Sequence, residues 1–147
     1  MPDSVGTGTF YMTSQTQKII AYGESALPIL VNLFTNNDAS NNRFRCERSF
    51  LTKGEIAIII ADLIEPIPYT KVTGALSCDL DFCTEHSVSI ANYLPAIKTY
   101  GTQNFQKKYR DWLNSPERKA WTNKQKRILK KERKKEVQKC WQKKKTN

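Results

Sequence analysis

The chain has 147 residues, enough for one domain that buries roughly two-thirds of the surface its unfolded form exposes. No apolar run approaches the roughly 20 residues a membrane-spanning helix needs, so no membrane insertion is expected. The formal net charge of +10 is lopsided: residues 1–106 hold 7 Lys/Arg against 10 Asp/Glu, whereas residues 107–147 hold 17 against 4, so a nearly neutral body carries a basic final quarter.

Residues 1–12 are rich in Gly, Ser, Thr and Asp, a composition that frays, and are expected to form a flexible lead. They are too polar and too poor in basic residues for a secretory signal. Four cysteines, an even number, lean toward an oxidising compartment, so the expectation is exported or periplasmic with a signal peptide already removed, and the cytoplasm is the alternative. A first helix is expected over 13–22, capped by Thr13 or Ser14 and ended by Gly23. A second follows over 24–34, where Ala26, Leu27, Leu30, Val31 and Phe34 recur at helical spacing and Pro28 lies in the first turn. The run Y-G-E-S-A-L-P-I-L-V-N-L-F, with the residues before it, resembles a HEAT-type repeat over residues 15–35. That resemblance implies a helical hairpin of the kind used for protein binding. No second copy appears at the period of about 40 that an array requires.

Residues 36–42 read as a polar loop. Arg43, Arg45 and Arg48, interleaved with Phe44, are candidates to touch a phosphate or an acidic partner; the alternative is a solvated linker with internal ion pairs. The stretch L-T-K-G-E-I-A-I-I-I-A-D-L-I-E-P over 51–66 is the central element. Thr52 and Glu55 have capping-box spacing and Pro66 stops the helix. Glu55, Asp62 and Glu65 fall on one narrow face of it, the expected solvent side.

Residues 66–86 are expected to be irregular, extended at Pro66 to Tyr69 and turning at Lys71 to Gly74. Cys78 and Cys83 are candidates for a disulfide closing a short loop, for half of a thiolate site, or for two plain thiols. Metal-ligand spacing for zinc or calcium is missing, and no cofactor is expected. Ser87 is a candidate cap for a helix through Tyr100 that Pro95 divides after Tyr93 and Gly101 ends. In the next helix, 102–114, Phe105, Tyr109, Trp112 and Leu113 form an aromatic stripe expected in the core. Ser115-Pro116-Glu117 then starts one long basic helix. Its apolar residues change sides between Ile128 and Val137, so only the first half is expected to dock and residues 130–147 to project as a basic extension.

The expected fold is all-α: a compact helical domain of about six helices over 13–129, between the lead and the extension. Catalysis has little basis. His86 is the only histidine, next to Glu85 and near Cys83, and no nucleophile elbow, zinc helix, phosphate loop or dinucleotide fingerprint is present. The carboxylates of Glu55 and Asp62 as an acid/base pair are the weaker reading of that helix face. The chain is expected to be a non-enzymatic protein-binding module, an adaptor or inhibitor that occludes an acidic protein, as a bacterial toxin-neutralising immunity protein does. The candidate partner-binding residues are Arg43, Arg45, Arg48, Trp121, Lys124, Arg127, Lys131, Lys134, Lys135 and Trp141. Nucleic-acid binding through the same basic segment, with Trp121 and Trp141 stacking on bases, is the alternative.

Overall fold

A computed structural model describes residues 14–40, 50–75 and 89–146. Among these the fold is all-α, with eight α-helices: α1 (Ser14–Ala21), α2 (Leu27–Val31), α3 (Lys53–Ile64), α4 (Tyr69–Thr73), α5 (Leu94–Tyr100), α6 (Thr102–Leu113), α7 (Pro116–Lys119) and α8 (Asn123–Thr146). Two 3-10 turns, Gly23–Ala26 and Ile90–Tyr93, lead into α2 and α5. An isolated antiparallel bridge pairs Ala39 with Thr52.

Helix α3 is the central element, as its composition requires. The capping box closes it: Glu55 N donates to Thr52 Oγ1 at 3.0 Å and Thr52 N donates to Glu55 Oε1 at 2.8 Å. From Ala57 to Ala61 every residue is buried, and α3 packs against α1, α2 and the 3-10 turn Ile90–Tyr93. Its first turn lies so close to the chain after α2 that a Cβ on Gly54 would fall 2.2 Å from the Phe34 carbonyl oxygen. Gly54 N instead donates to Asn36 O at 2.9 Å, so glycine lets two backbones touch.

Helix α6 supplies the other half of the core. Its stripe of Phe105, Tyr109, Trp112 and Leu113 is buried as expected, and Phe105 and Tyr109 meet Phe34 with ring centroids 6.0 and 5.3 Å apart. Tyr69 of α4 joins the cluster through Phe105 and Tyr93. Pro95 divides its segment after Tyr93: the 3-10 turn stops there and the proline sits in the first turn of α5, where its missing donor costs little. The observed cap is Ser89, in a box with Asn92; Ser87 lies outside the described residues. Gly101, at φ 104°, ends α5 in a conformation that favours glycine.

Three expectations are corrected. Residues Tyr69–Thr73 form a short helix where the end of an extended stretch and a turn were expected. The basic helix from Pro116 is interrupted after one turn, and α8 starts afresh because Thr122 and Gln125 form a further capping box, Gln125 N to Thr122 Oγ1 at 3.2 Å and Thr122 N to Gln125 Oε1 at 2.8 Å. Finally, the segment from Lys130 to Cys140 does not project. Arg133, Val137 and Cys140 are buried together with Leu129, and α8 docks on the body well past its midpoint.

Candidate interaction surface

The docked face of α8 is fixed by carboxylates on α3 that the sequence places on one side of an otherwise apolar helix. At Asp62 and Glu65 that side does not meet water, and Glu55 is partly exposed. Asp62 is buried and holds the Arg133 guanidinium in a two-pronged contact, Nη1 to Oδ2 at 3.1 Å and Nη2 to Oδ1. Asp62 also accepts from Ile67 N at 2.7 Å and Ile90 N at 3.4 Å, and Arg133 Nη2 donates to Ile67 O at 2.7 Å. One ion pair therefore ties α8 to the C-terminal end of α3 and to both chain segments that follow it.

Glu65 is also buried, and it gathers two cations from later in the chain. Arg118 of α7 reaches it with Nε at 3.0 Å and Nη2 at 3.3 Å, and Lys126 of α8 approaches to 3.2 Å. Burial works against the charge on Arg118, but the hydrogen bond and charge of Glu65, with help from Glu24, outweigh it and hold the guanidinium above its ordinary value. Glu136 on α8 accepts from Tyr93 Oη at 2.9 Å. Burial, followed by this carboxylate, pushes the Tyr93 phenol well above the ordinary tyrosine value.

With Leu129, Arg133, Val137 and Cys140 turned inward, the rest of α8 presents cations. At about 100° per residue, Lys124, Arg127, Lys131, Lys134 and Lys135 fall within a sector of roughly 100° on the opposite side of the helix. All five are exposed. The two carboxylates of α8, Glu132 and Glu136, lie to one side, toward α4. The helix has 24 residues, so at about 1.5 Å each the rod that bears this stripe is roughly 36 Å long.

The remaining sequence candidates are distributed differently. Trp121 is half-buried and meets Trp112 edge-on, with ring centroids 5.1 Å apart, and Trp141 is half-buried. Arg43, Arg45, Arg48, Cys78, Cys83 and His86 lie outside the described residues. Cys140 is disulfide-bonded. Glu55 spends its side chain on the α3 cap and sits about two turns from Asp62, so these two carboxylates do not share a site. Among the described residues no three His, Cys, Asp or Glu side chains come together as a metal-binding group, and no helix is long and apolar enough to cross a membrane.

Residues that the sequence reading missed are Arg118 and Arg133. Their signal was present: two carboxylates on one face of a helix with apolar residues on every other face require cations if that face is covered. A shallow cleft also opens beside the stripe, floored by Trp121, Ile128 and Leu129 and rimmed by Gln125, Glu132 and the Lys71–Glu117 ion pair. Comparison with protein-family models, with curated proteins and with solved structures finds no match to this chain.

Proposed function

We propose that the chain is a non-enzymatic binding module whose α8 stripe captures an acidic protein partner and occludes part of its surface. The observation that carries this reading is the sorting of charge around α8, with Lys124, Arg127, Lys131, Lys134 and Lys135 on one exposed sector and both carboxylates of the helix outside it. A same-sign stripe raises the encounter rate with an oppositely charged partner, and a rigid mount lowers the ordering cost of the complex. The mount here is rigid because Arg133 makes three hydrogen bonds inside the body, two to Asp62 and one to Ile67 O.

Nucleic acid is the second reading of the same cations. Base stacking would need aromatic faces on the stripe. The candidate tryptophans are half-buried, and Trp121 is already engaged by Trp112, which favours the protein reading. The test compares the wild-type chain with a variant carrying Lys124→Glu, Lys131→Glu and Lys135→Glu, both immobilised and exposed to nuclease-treated lysate at near-physiological salt. An acidic protein retained by the wild type and lost from the variant is the expected result. Equal retention on both, or nothing retained once nuclease has acted, overturns the reading.

A further inference from the structure

The Arg133 guanidinium is charged and buried, so its donors need acceptors inside the body. Nη1 and Nη2 find theirs in Asp62 and Ile67 O, but the Nε–H, buried as well, has none among the described residues. Arg133 also lines a small pocket between α4 and α8, together with Pro68, Tyr69, Tyr93 and Leu129, all of them buried. Thr70, Lys71 and Glu132 line the same pocket and are exposed, so solvent reaches it from their side. Its free volume of about 40 Å³ exceeds the roughly 10–15 Å³ that one water needs.

The pocket also holds an acceptor with capacity to spare. Glu136, one turn on from Arg133, accepts from Tyr93 Oη at 2.9 Å through Oε2 and from Thr70 Oγ1 at 3.4 Å through Oε1. A carboxylate has about four acceptor sites, so two bonds do not fill it. An unmatched donor and an unfilled acceptor thus line one space of the right size for a water.

We infer that this pocket binds an ordered water molecule that accepts from Arg133 Nε and donates to the Glu136 carboxylate. A small anion would satisfy the same donor, but Glu132 and Glu136 line the pocket and repel it. Through the water, the Asp62–Arg133 pair and the Glu136–Tyr93 pair become one polar network, which runs from α3 through α8 to the 3-10 turn Ile90–Tyr93. The site is independent of what the cationic stripe captures.

The test reads the Arg133 Nε proton directly, by nitrogen-edited NMR cross-relaxation with water on the full-length chain. The expected result is a slowly exchanging Nε proton with a cross-peak of the sign given by a long-lived bound water. Glu136→Leu removes the acceptor and puts an apolar side chain in the pocket, and the cross-peak is expected to disappear. Absence of the cross-peak from the wild type, or its persistence unchanged in a folded Glu136→Leu variant, overturns the site. A crystal structure that resolves ordered water decides independently of whether that variant folds. Density within hydrogen-bond distance of both Arg133 Nε and Glu136 supports the water, and a direct bond from Nε to Glu132 or Glu136, or an empty pocket, overturns it.

Discussion

Arg133 of α8 and Asp62 of α3, 71 residues apart in sequence, form an ion pair whose side chains are only 5 % and 7 % exposed. Buried pairs of this kind gain little over an apolar replacement of both partners but leave an uncompensated charge when one is removed. Arg133→Met is therefore expected to cost about 3–5 kcal/mol in urea unfolding. Replacing both, Asp62→Asn with Arg133→Met, is expected to cost less than the sum of the single changes. An additive result would mean that the pair does not act as a unit.

Removing residues 130–147 is expected to destabilise the whole body, not to release a tail. The deletion takes Val137 and Cys140 from the core as well as the cation that Asp62 needs. Circular dichroism should show loss of the cooperative thermal transition, or a fall in stability larger than Arg133→Met alone produces. A truncated chain melting with the full chain would refute the docked arrangement.

Gly54→Ala is expected to destabilise by about 1–3 kcal/mol, the usual cost of inserting a methyl into an occupied site. The added Cβ meets the Phe34 carbonyl oxygen and carbon at 2.2 and 2.8 Å, and backbone cannot swing aside as a side-chain tip does. Unchanged thermal stability would show that α3 and the turn after α2 separate freely.

Tyr93 and Tyr109 govern the alkaline limit. Burial raises both phenols above the ordinary tyrosine value; Glu136 adds to this at Tyr93, and Glu65 and Asp62 add to it at Tyr109. The unfolded chain loses these protons near pH 10 while the folded chain keeps them. Their contribution to stability is thus fully present below pH 10 and falls above it, by up to about 1.4 kcal/mol per pH unit for each phenol. The phenylalanine variants separate the two at neutral pH: Tyr93→Phe loses its bond to Glu136 and should destabilise. Tyr109 Oη has no hydrogen-bond partner among the described residues, so Tyr109→Phe should be neutral or stabilising. Both variants should flatten the decline above pH 10, and an unchanged slope would count against buried, neutral phenols.

Local signals carried most of the fold. The Thr52/Glu55 box, the division at Pro95 and the α6 aromatic stripe were legible because each depends on residues within about two turns. The mounting of α8 was not, because its apolar stripe has an arginine in the middle. Read by hydropathy, Arg133 separates Leu129 from Val137 and Cys140; read with Asp62 in place, it joins them. The same long-range pairing hid the direction of the acidic face of α3. The restart of α8 had a local signal, Thr122 and Gln125, that the run of lysines around it obscured. Of the candidate surface, Lys124, Arg127, Lys131, Lys134 and Lys135 were identifiable as cations, but their grouping on one sector followed only from knowing which face is buried.

The two carboxylates near the end of α3 also impose an order on the chain's birth. Arg118 follows Glu65 by 53 residues and Arg133 follows Asp62 by 71. At roughly 5–20 residues per second, a ribosome that has made α3 needs several seconds more to deliver both cations, while a helix forms in about a microsecond or less. During that interval α3 has its apolar faces formed and its acidic face unmatched, so the nascent body stays open until translation reaches α8. A nascent chain exposed only to residue 115 should be cut readily at α3 by protease, and one exposed past Cys140 should resist.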